Sequence, residues 1–260
     1  MIAAGPLSGL GVLVTRPARQ AAGFAQKLAA LGGEPVIFPG IAILPPRDTA
    51  ELQCAHAALA SYDVAIFVSP NAVEYGVPDP RKWPARLAVL APGPGTAEAL
   101  AAAGIAGASI PATTFDSDGL LELPELADVR GKCVLILRGD GGREQLAEAL
   151  RSRGARVDTI ACYRRARPTS GVQGLGEAFR DGRIDAVTIT SSEALDNLWS
   201  MAGDSIRAAW RARPTFAPHP RIAAQARGKG LPQVIETAGG DAGLIAGLLE
   251  WTAAHPREKS

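Results

Sequence analysis

Hydroxyl, amide and guanidinium side chains recur in this 260-residue chain at short turns that each follow an apolar run. They are TRPARQ after Val14, SPNAVE after Val68, APGPGTAE after Leu90, RGDGGRE after Leu137, SSEAL after Thr190 and APHPRIA after Phe216. Such turns lead from a strand into a helix, where the unpaired N–H groups of the first helical turn hold anions. Ser69 and Thr96 read as N-cap side chains, Pro70 suits a first helical position, and RGDGGRE is a glycine-rich loop flanked by Arg138 and Arg143. Asn71, Gly139, Ser191, His219 and Arg221 stand in the same turns. The chemistry offered is recognition of an anionic ligand by backbone and side-chain donors. Each residue also has a structural role open to it: the hydroxyls and His219 as caps, and Arg16 and Arg138 as pins holding a loop to its own lobe.

Other chemistries find little support. GDGG lacks the lysine and spacing of a Walker loop and does not match GxGxxG. No acid/base pair or nucleophile elbow is recognisable, and Cys54, Cys133 and Cys162 lie far apart with only His56, His219 and His255 to join them as metal ligands. Twenty-seven Lys and Arg against 26 Asp and Glu give a net charge of +1, which does not supply the basic field of a general nucleic-acid binder. The start, MIAAGPLSGLGVLV, has no basic n-region, and no apolar run is long enough to cross a bilayer. A cytoplasmic protein without membrane or nucleic-acid partners is expected.

The elements that position these turns come in two copies. VLVTRPARQAAGFAQKLAALG from Val12 lies over VLILRGDGGREQLAEALRSRG from Val134, an offset of 122 residues. DVAIFVSPNAV from Asp63 lies over DAVTITSSEAL from Asp185 at the same offset, which puts Ser69 over Ser191. AVLAPGPGTAEAL from Ala88 and PTFAPHPRIAAQA from Pro214 match at 126, after a short insertion, and Gly119 and Gly243 are 124 apart. Each copy alternates short buried strands with amphipathic helices, and Gly32 and Gly154 share a slot where a helix would end in a left-handed residue. The fold class expected is α/β: two similar flavodoxin-like or Rossmann-like lobes with parallel sheets, joined by two extended connectors, with a cleft between the lobes. A single doubly wound sheet with accidental similarity is the alternative.

Where the copies disagree, polar residues need another reason. Tyr163 stands over Ile41, Arg164 and Arg165 over Ala42 and Ile43, and His219 over Gly93. Packing of Tyr163 on its connector, a solvated face for the two arginines and a polar cap for His219 are the structural readings.

Taken in order, VTRPARQ, IFVSPNAVE, APGPGTAEAL, FDSDGLLELPEL, GKCVLILRGDGGREQL, VDTIACYRRARP, TITSSEALDNL and PHPRIAAQA resemble the uroporphyrinogen-III synthase family, from about Val12 to Leu249. The resemblance implies a discontinuous lobe of residues 1–38 and 168–260, a second lobe of 46–160, and connectors at 39–45 and 161–167. The repeat alone would cut the chain near residue 128. The implied reaction is cyclisation of hydroxymethylbilane, a linear tetrapyrrole, to uroporphyrinogen III with loss of water and inversion of the last ring. No cofactor is implied. The substrate supplies the driving electrons, so the protein mainly holds a shape.

By the same resemblance Tyr163, in ACYRR, matches the family's candidate for a proton donor, as general acid or orienter. A phenol, with a reference pKa of about 10, is a proton donor available at neutral pH. Ser69, Thr96 and Ser191 fall at turns that contact the tetrapyrrole, with Arg16, Asn71, Arg138, Gly139, His219 and Arg221 completing the expected substrate-binding set. The chain departs from many relatives in carrying His219 where they have Ser or Thr. A monomer is expected, with the preceding enzyme of the pathway as a transient neighbour. A non-enzymatic two-lobe binder of a polyanionic ligand, or a sugar-phosphate or nucleotide enzyme using RGDGGRE, remain the rival readings.

Overall fold

The computed structural model describes residues 5–141 and 144–256. In chain order the elements are β1 (Gly11–Val14), α1 (Ala18–Ala30), β2 (Glu34–Ile37), β3 (Ala42–Leu44), α2 (Ala50–Ala57), β4 (Val64–Phe67), α3 (Pro70–Gly76), β5 (Ala88–Leu90), α4 (Pro94–Ala102) and α5 (Ser117–Leu121). There follow β6 (Cys133–Gly139), α6 (Gln145–Ser152), β7 (Arg156–Ala166), α7 (Val172–Arg180), β8 (Ala186–Thr188), α8 (Ser192–Met201), α9 (Asp204–Arg211), β9 (Thr215–Ala217), α10 (Pro220–Gly228), β10 (Val234–Glu236) and α11 (Gly240–Ala254). The chain forms two compact units, Met1–Ala42 with Ala166–Ser260, and Ile43–Arg165; neither boundary falls near residue 128.

The first unit holds a parallel sheet in the order β10-β9-β8-β1-β2. Both faces are covered, which is why its strands read as unbroken apolar runs. Val12 and Val14 pack with Phe24 and Leu28 of α1 and Leu244 and Leu248 of α11. Leu13, pointing the other way, packs with Leu175 of α7, Leu195 of α8, Trp210 of α9 and Ile222 of α10. The second unit has the order β3-β7-β6-β4-β5, with β4, β5, β6 and β7 parallel. Ala65, Phe67 and Leu137 meet α2, α3 and α4 on one face, while Val64, Ile66 and Ile136 meet Leu120 of α5 and Leu146 and Leu150 of α6 on the other. Strand β7 runs without a break through residues 161–166, where the sequence suggested a connector.

Side chains fix the central pairings. Asp185 accepts a hydrogen bond from the N–H of Gly11 at 2.8 Å, and Asp63 accepts one from the N–H of Cys133 at 2.8 Å. Between β1 and β8, Thr15 donates to the carbonyl of Thr188 at 2.7 Å and Thr188 donates to that of Leu13 at 2.8 Å. The copies also share backbone requirements. Gly32 and Gly154 adopt φ 86° and 89°. A Cβ on Gly119 would sit 1.8 Å from the carbonyl oxygen of Thr114, and one on Gly243 would sit 2.0 Å from that of Ala238, so both helices demand glycine for a close backbone approach. No helix among the described residues is long and apolar enough to cross a membrane.

Within the first unit, α1 is tied to the opening turn of α11. Asp241 pairs with Arg16, and Lys27 Nζ lies 2.8 Å from its other oxygen. Burial alone would raise the Asp241 carboxyl, but hydrogen bonds and charge from Lys27 and Arg16 outweigh it and hold the group below the usual carboxylate range. A depressed folded-state pKa stabilises above the unfolded pKa and is lost as pH falls through the folded one. Asp241→Asn is therefore expected to lower the unfolding free energy at pH 7 by about 1 kcal/mol. The deficit should shrink below about pH 4. Urea denaturation of both proteins at the two pH values tests this, and an equal deficit at both would contradict it.

Candidate active site

The site is built at the carboxyl ends of β6 and β7. These strands pair in register from Cys133 with Arg156 to Arg138 with Ala161, after which Gly139 pairs with Tyr163, so Cys162 is the extra residue of a bulge. Regular alternation would send Cys162 and Tyr163 to opposite faces. Instead both lie against α3 and the turn before it. The Cys162 thiol is 3.6 Å from the carbonyl oxygen of Ala72 and 3.3 Å from that of Arg138. The Tyr163 ring lies 6.3 Å from that of Tyr75, and its hydroxyl is 3.1 Å from Ser69 Oγ. Burial pushes the Cys162 thiol up to about 12, so it fills space as a neutral group rather than acting as a nucleophile.

Tyr163 is only 2% exposed, and Gly139 makes its position available: a Cβ there would stand 2.7 Å from the ring carbon that carries the hydroxyl. The packing expected of an amphipathic side chain is present together with a polar contact. Among the chain's three tyrosines, Tyr62 donates to the carboxylate of Asp158 and Tyr75 to the carbonyl of Ile43. The Tyr163 hydroxyl instead meets a hydroxyl, that of Ser69, and a hydroxyl can pass a proton onward.

Ser69 is the N-cap of α3, accepting from the N–H of Ala72 at 3.1 Å, and Pro70 is the first helical residue. Ser191 repeats the arrangement at α8, accepting from the N–H of Ala194 at 3.1 Å. His219 caps α10 through Nδ1, which accepts from the N–H of Arg221 at 3.1 Å; the helix starts at Pro220, and His219 and Arg221 are exposed. Asn71 is buried in the first turn of α3. Thr96 departs from expectation. Gly93 is the N-cap of α4, no side chain caps that helix, and Thr96 lies within its first turn at 5% exposure. The reason is Pro94, whose fixed φ starts the helix two residues before the threonine.

Both arginines are pinned within their own units. Arg16 pairs with Asp241 and lies 4.8 Å over the Phe24 ring, and Arg138 pairs with Glu144. Gly142 and Arg143 of the glycine-rich loop lie outside the described residues. Arg164 is not on a simply solvated face: its Nε is buried without a hydrogen-bond partner among the described residues. Arg165 is exposed and its N–H donates to Asp140 at 3.1 Å. A cavity of about 210 Å³ beside Tyr163 is lined by Val68, Ser117, Arg138, Thr159 and Arg165 among others. The Thr159 hydroxyl is buried with no hydrogen-bond partner among the described residues. None of the described residues form a group of three or more His, Cys, Asp and Glu placed to hold a metal ion.

Two hydroxyls in contact at the strand ends and a threonine hydroxyl beside them without a partner among the described residues suit binding and proton transfer. A family model described as uroporphyrinogen-III synthase HemD matches residues 22–246. The chain belongs to the uroporphyrinogen-III synthase family. It is 34% identical over 210 residues to the uroporphyrinogen-III synthase of Salmonella typhimurium, covering 78% of this chain and 85% of that one. It is 35% identical over 209 residues to the Escherichia coli protein of the same name, covering 77% and 83%. The fold is that of the Helicobacter pylori uroporphyrinogen-III synthetase crystal structure, with a TM-score of 0.53 at 13% identity over 85% of this chain and 92% of that one. A Thermus thermophilus mutant uroporphyrinogen III synthase superposes with a TM-score of 0.51 at 23% identity, covering 95% and 99%.

Sequence reasoning did not find the bulge that aims Tyr163. TIACYRR alternates plausibly without it, and only the pairing of Gly139 with Tyr163 shows the extra residue. Gly139→Ala is expected to destabilise the protein by about 1–3 kcal/mol through overpacking. It should also move Tyr163 off Ser69 and so reduce turnover in the molecules that remain folded. Denaturant unfolding and activity per folded molecule check this, and an alanine variant of wild-type stability would contradict it.

Proposed function

We propose that this chain is a uroporphyrinogen-III synthase that closes hydroxymethylbilane to uroporphyrinogen III, losing water and inverting the last ring, and thus acts as a cyclising lyase. The observation that carries the chemistry is the contact between Tyr163 and Ser69. Loss of the hydroxyl from the first ring is driven by its pyrrole nitrogen and eased by a proton delivered to the departing oxygen. Tyr163 is buried, so Ser69 is the member of the pair nearer the ligand: it gives its proton to the leaving hydroxyl, which departs as water, and takes one from Tyr163. The azafulvene so formed is attacked by the substituted carbon of the fourth ring. The resulting spiro intermediate fragments and recloses with that ring inverted. The proton released when the ring regains aromaticity returns to the tyrosinate.

The substrate's carboxylates need donors rather than acids. Thr96 and Ser191, with the first-turn N–H groups around them, serve that role, and Asn71, Arg221 and His219 add polar contacts. Arg138 and Thr159, at the cavity beside Tyr163, suit a carboxylate arm. Arg16 is assigned to substrate only through its turn, since its guanidinium is held by Asp241. The protein is read as a cytoplasmic monomer that receives its unstable substrate by transient contact with the enzyme making it.

Tyr163→Phe is expected to slow type III formation about 100-fold without unfolding the protein. Ser69→Ala should slow it comparably and lose about 1 kcal/mol of stability with the helix cap. The double variant should be little slower than either single one, because a relay is lost once. The assay supplies enzymatically generated hydroxymethylbilane and separates type I from type III product by chromatography. Near wild-type turnover by folded Tyr163→Phe would remove the residue from the mechanism, and multiplicative losses in the double variant would break the relay.

A further inference from the structure

Phe115, 55% exposed, and Ile37, 48% exposed, are the exposed large hydrophobic residues among those described. A single exposed apolar side chain needs no explanation in itself. Their positions do. Ile37 is the last residue of β2, level with Val14, whose carboxyl end leads into the turn carrying Arg16. Phe115 lies against Gly93, the N-cap of α4, in the turn that follows the carboxyl end of β5. Each therefore stands, in its own unit, at the strand ends where ligands of parallel sheets bind.

Gly93 shows that the placing of Phe115 is built. Its φ of −178° and ψ of 179° are extended, so any residue could adopt its backbone. The contact is with Phe115: a Cβ on Gly93 would meet the Phe115 Cβ at 3.2 Å and its ring at 3.3 Å, so Phe115 would have to give by a few tenths of an ångström. In the same turn region, Thr96 is 5% exposed and lies in the first turn of α4 without capping it. An exposed aromatic face thus adjoins a largely buried threonine at a helix start that no side chain caps.

We propose that Phe115 is a specificity-determining contact that stacks on one pyrrole ring of the tetrapyrrole while Thr96 receives an acidic arm of that ring. The assignment rests on the functional reading above. A pyrrole ring has a flat, electron-rich face and carries its carboxylates at its edge, so the ring suits the phenyl and the arm suits the hydroxyl. Holding one ring by its face also resists loose closure to the uninverted product, which the substrate forms unaided.

The test compares wild type, Phe115→Ala and Phe115→Trp in KM for hydroxymethylbilane, kcat, the ratio of type III to type I product, binding of the stable analogue uroporphyrin by fluorescence, and thermal unfolding. Phe115→Ala should raise KM and the uroporphyrin Kd about tenfold, close to 1.4 kcal/mol, with kcat changed less than about twofold. It should also raise the share of type I product. Phe115→Trp should keep all values within about twofold of wild type. Because the side chain is exposed, neither variant should shift the unfolding temperature. A folded Phe115→Ala whose KM and uroporphyrin Kd match wild type would overturn the assignment. A wild-type protein that forms no type III isomer would instead overturn the functional reading.

Discussion

Parallel strands cannot be joined by a tight turn, so β1 and β8 must find each other across more than 170 residues of chain, and their register has to be set by something local. Asp185 holding the N–H of Gly11 and the reciprocal Thr15 and Thr188 hydrogen bonds set it. A slip of one residue would exchange Val12 and Val14 for Leu13 and mismatch both helical layers at once. Asp63 does the same for β6. Since β6 is the copy of β1 and β4 the copy of β8, each clasp joins one residue from the first copy to one from the second. The units are therefore not the repeats: the copies have exchanged their opening βα segments.

That exchange bears on the site. In the second unit β7 follows β6 as β2 follows β1, but β7 continues to Ala166 and takes up a bulge at Cys162, whereas β2 ends after four residues. The bulge turns two consecutive side chains toward α3. Gly139 leaves room for the tyrosine ring, and the Ser69 cap fixes the atom the phenol meets. The first unit builds the same serine cap at Ser191, yet a tyrosine meets only Ser69. One scaffold repeated with small backbone differences thus yields one hydroxyl pair rather than two.

Much of this was legible in the sequence. The buried strands, the helices and the turns between them follow from apolar runs and from punctuation by Gly and Pro. The repeat offsets carry over to atoms: Asp63 and Asp185, Ser69 and Ser191, and Gly119 and Gly243 each make equivalent contacts. Which strands share a sheet was not legible from the repeat, because identical copies can pair within or across themselves equally well. The cap of α4 was misplaced for a local reason, since Pro94 starts that helix before Thr96 can reach its end. Arg16 and Arg138 aligned perfectly between copies, but alignment cannot tell a ligand contact from an ion pair with Asp241 or Glu144.

Counting backbone donors changes how the turns should be weighed as anion seats. A helix start offers four unpaired N–H groups, and a capping side chain takes one of them. Ser69, Ser191 and His219 each do so, and the leading prolines of α3, α4 and α10 have no N–H to give. Helix α4 differs from these three because glycine stands at its N-cap, so no capping side chain competes with a ligand there; the starts of α1 and α6 are likewise uncapped. The glycine also lets Phe115 lie close, since a Cβ there would meet the Phe115 Cβ at 3.2 Å. One close contact thus sets an apolar ring beside a helix start that no side chain caps, a pairing that suits a pyrrole carrying acidic arms better than it suits a small free anion.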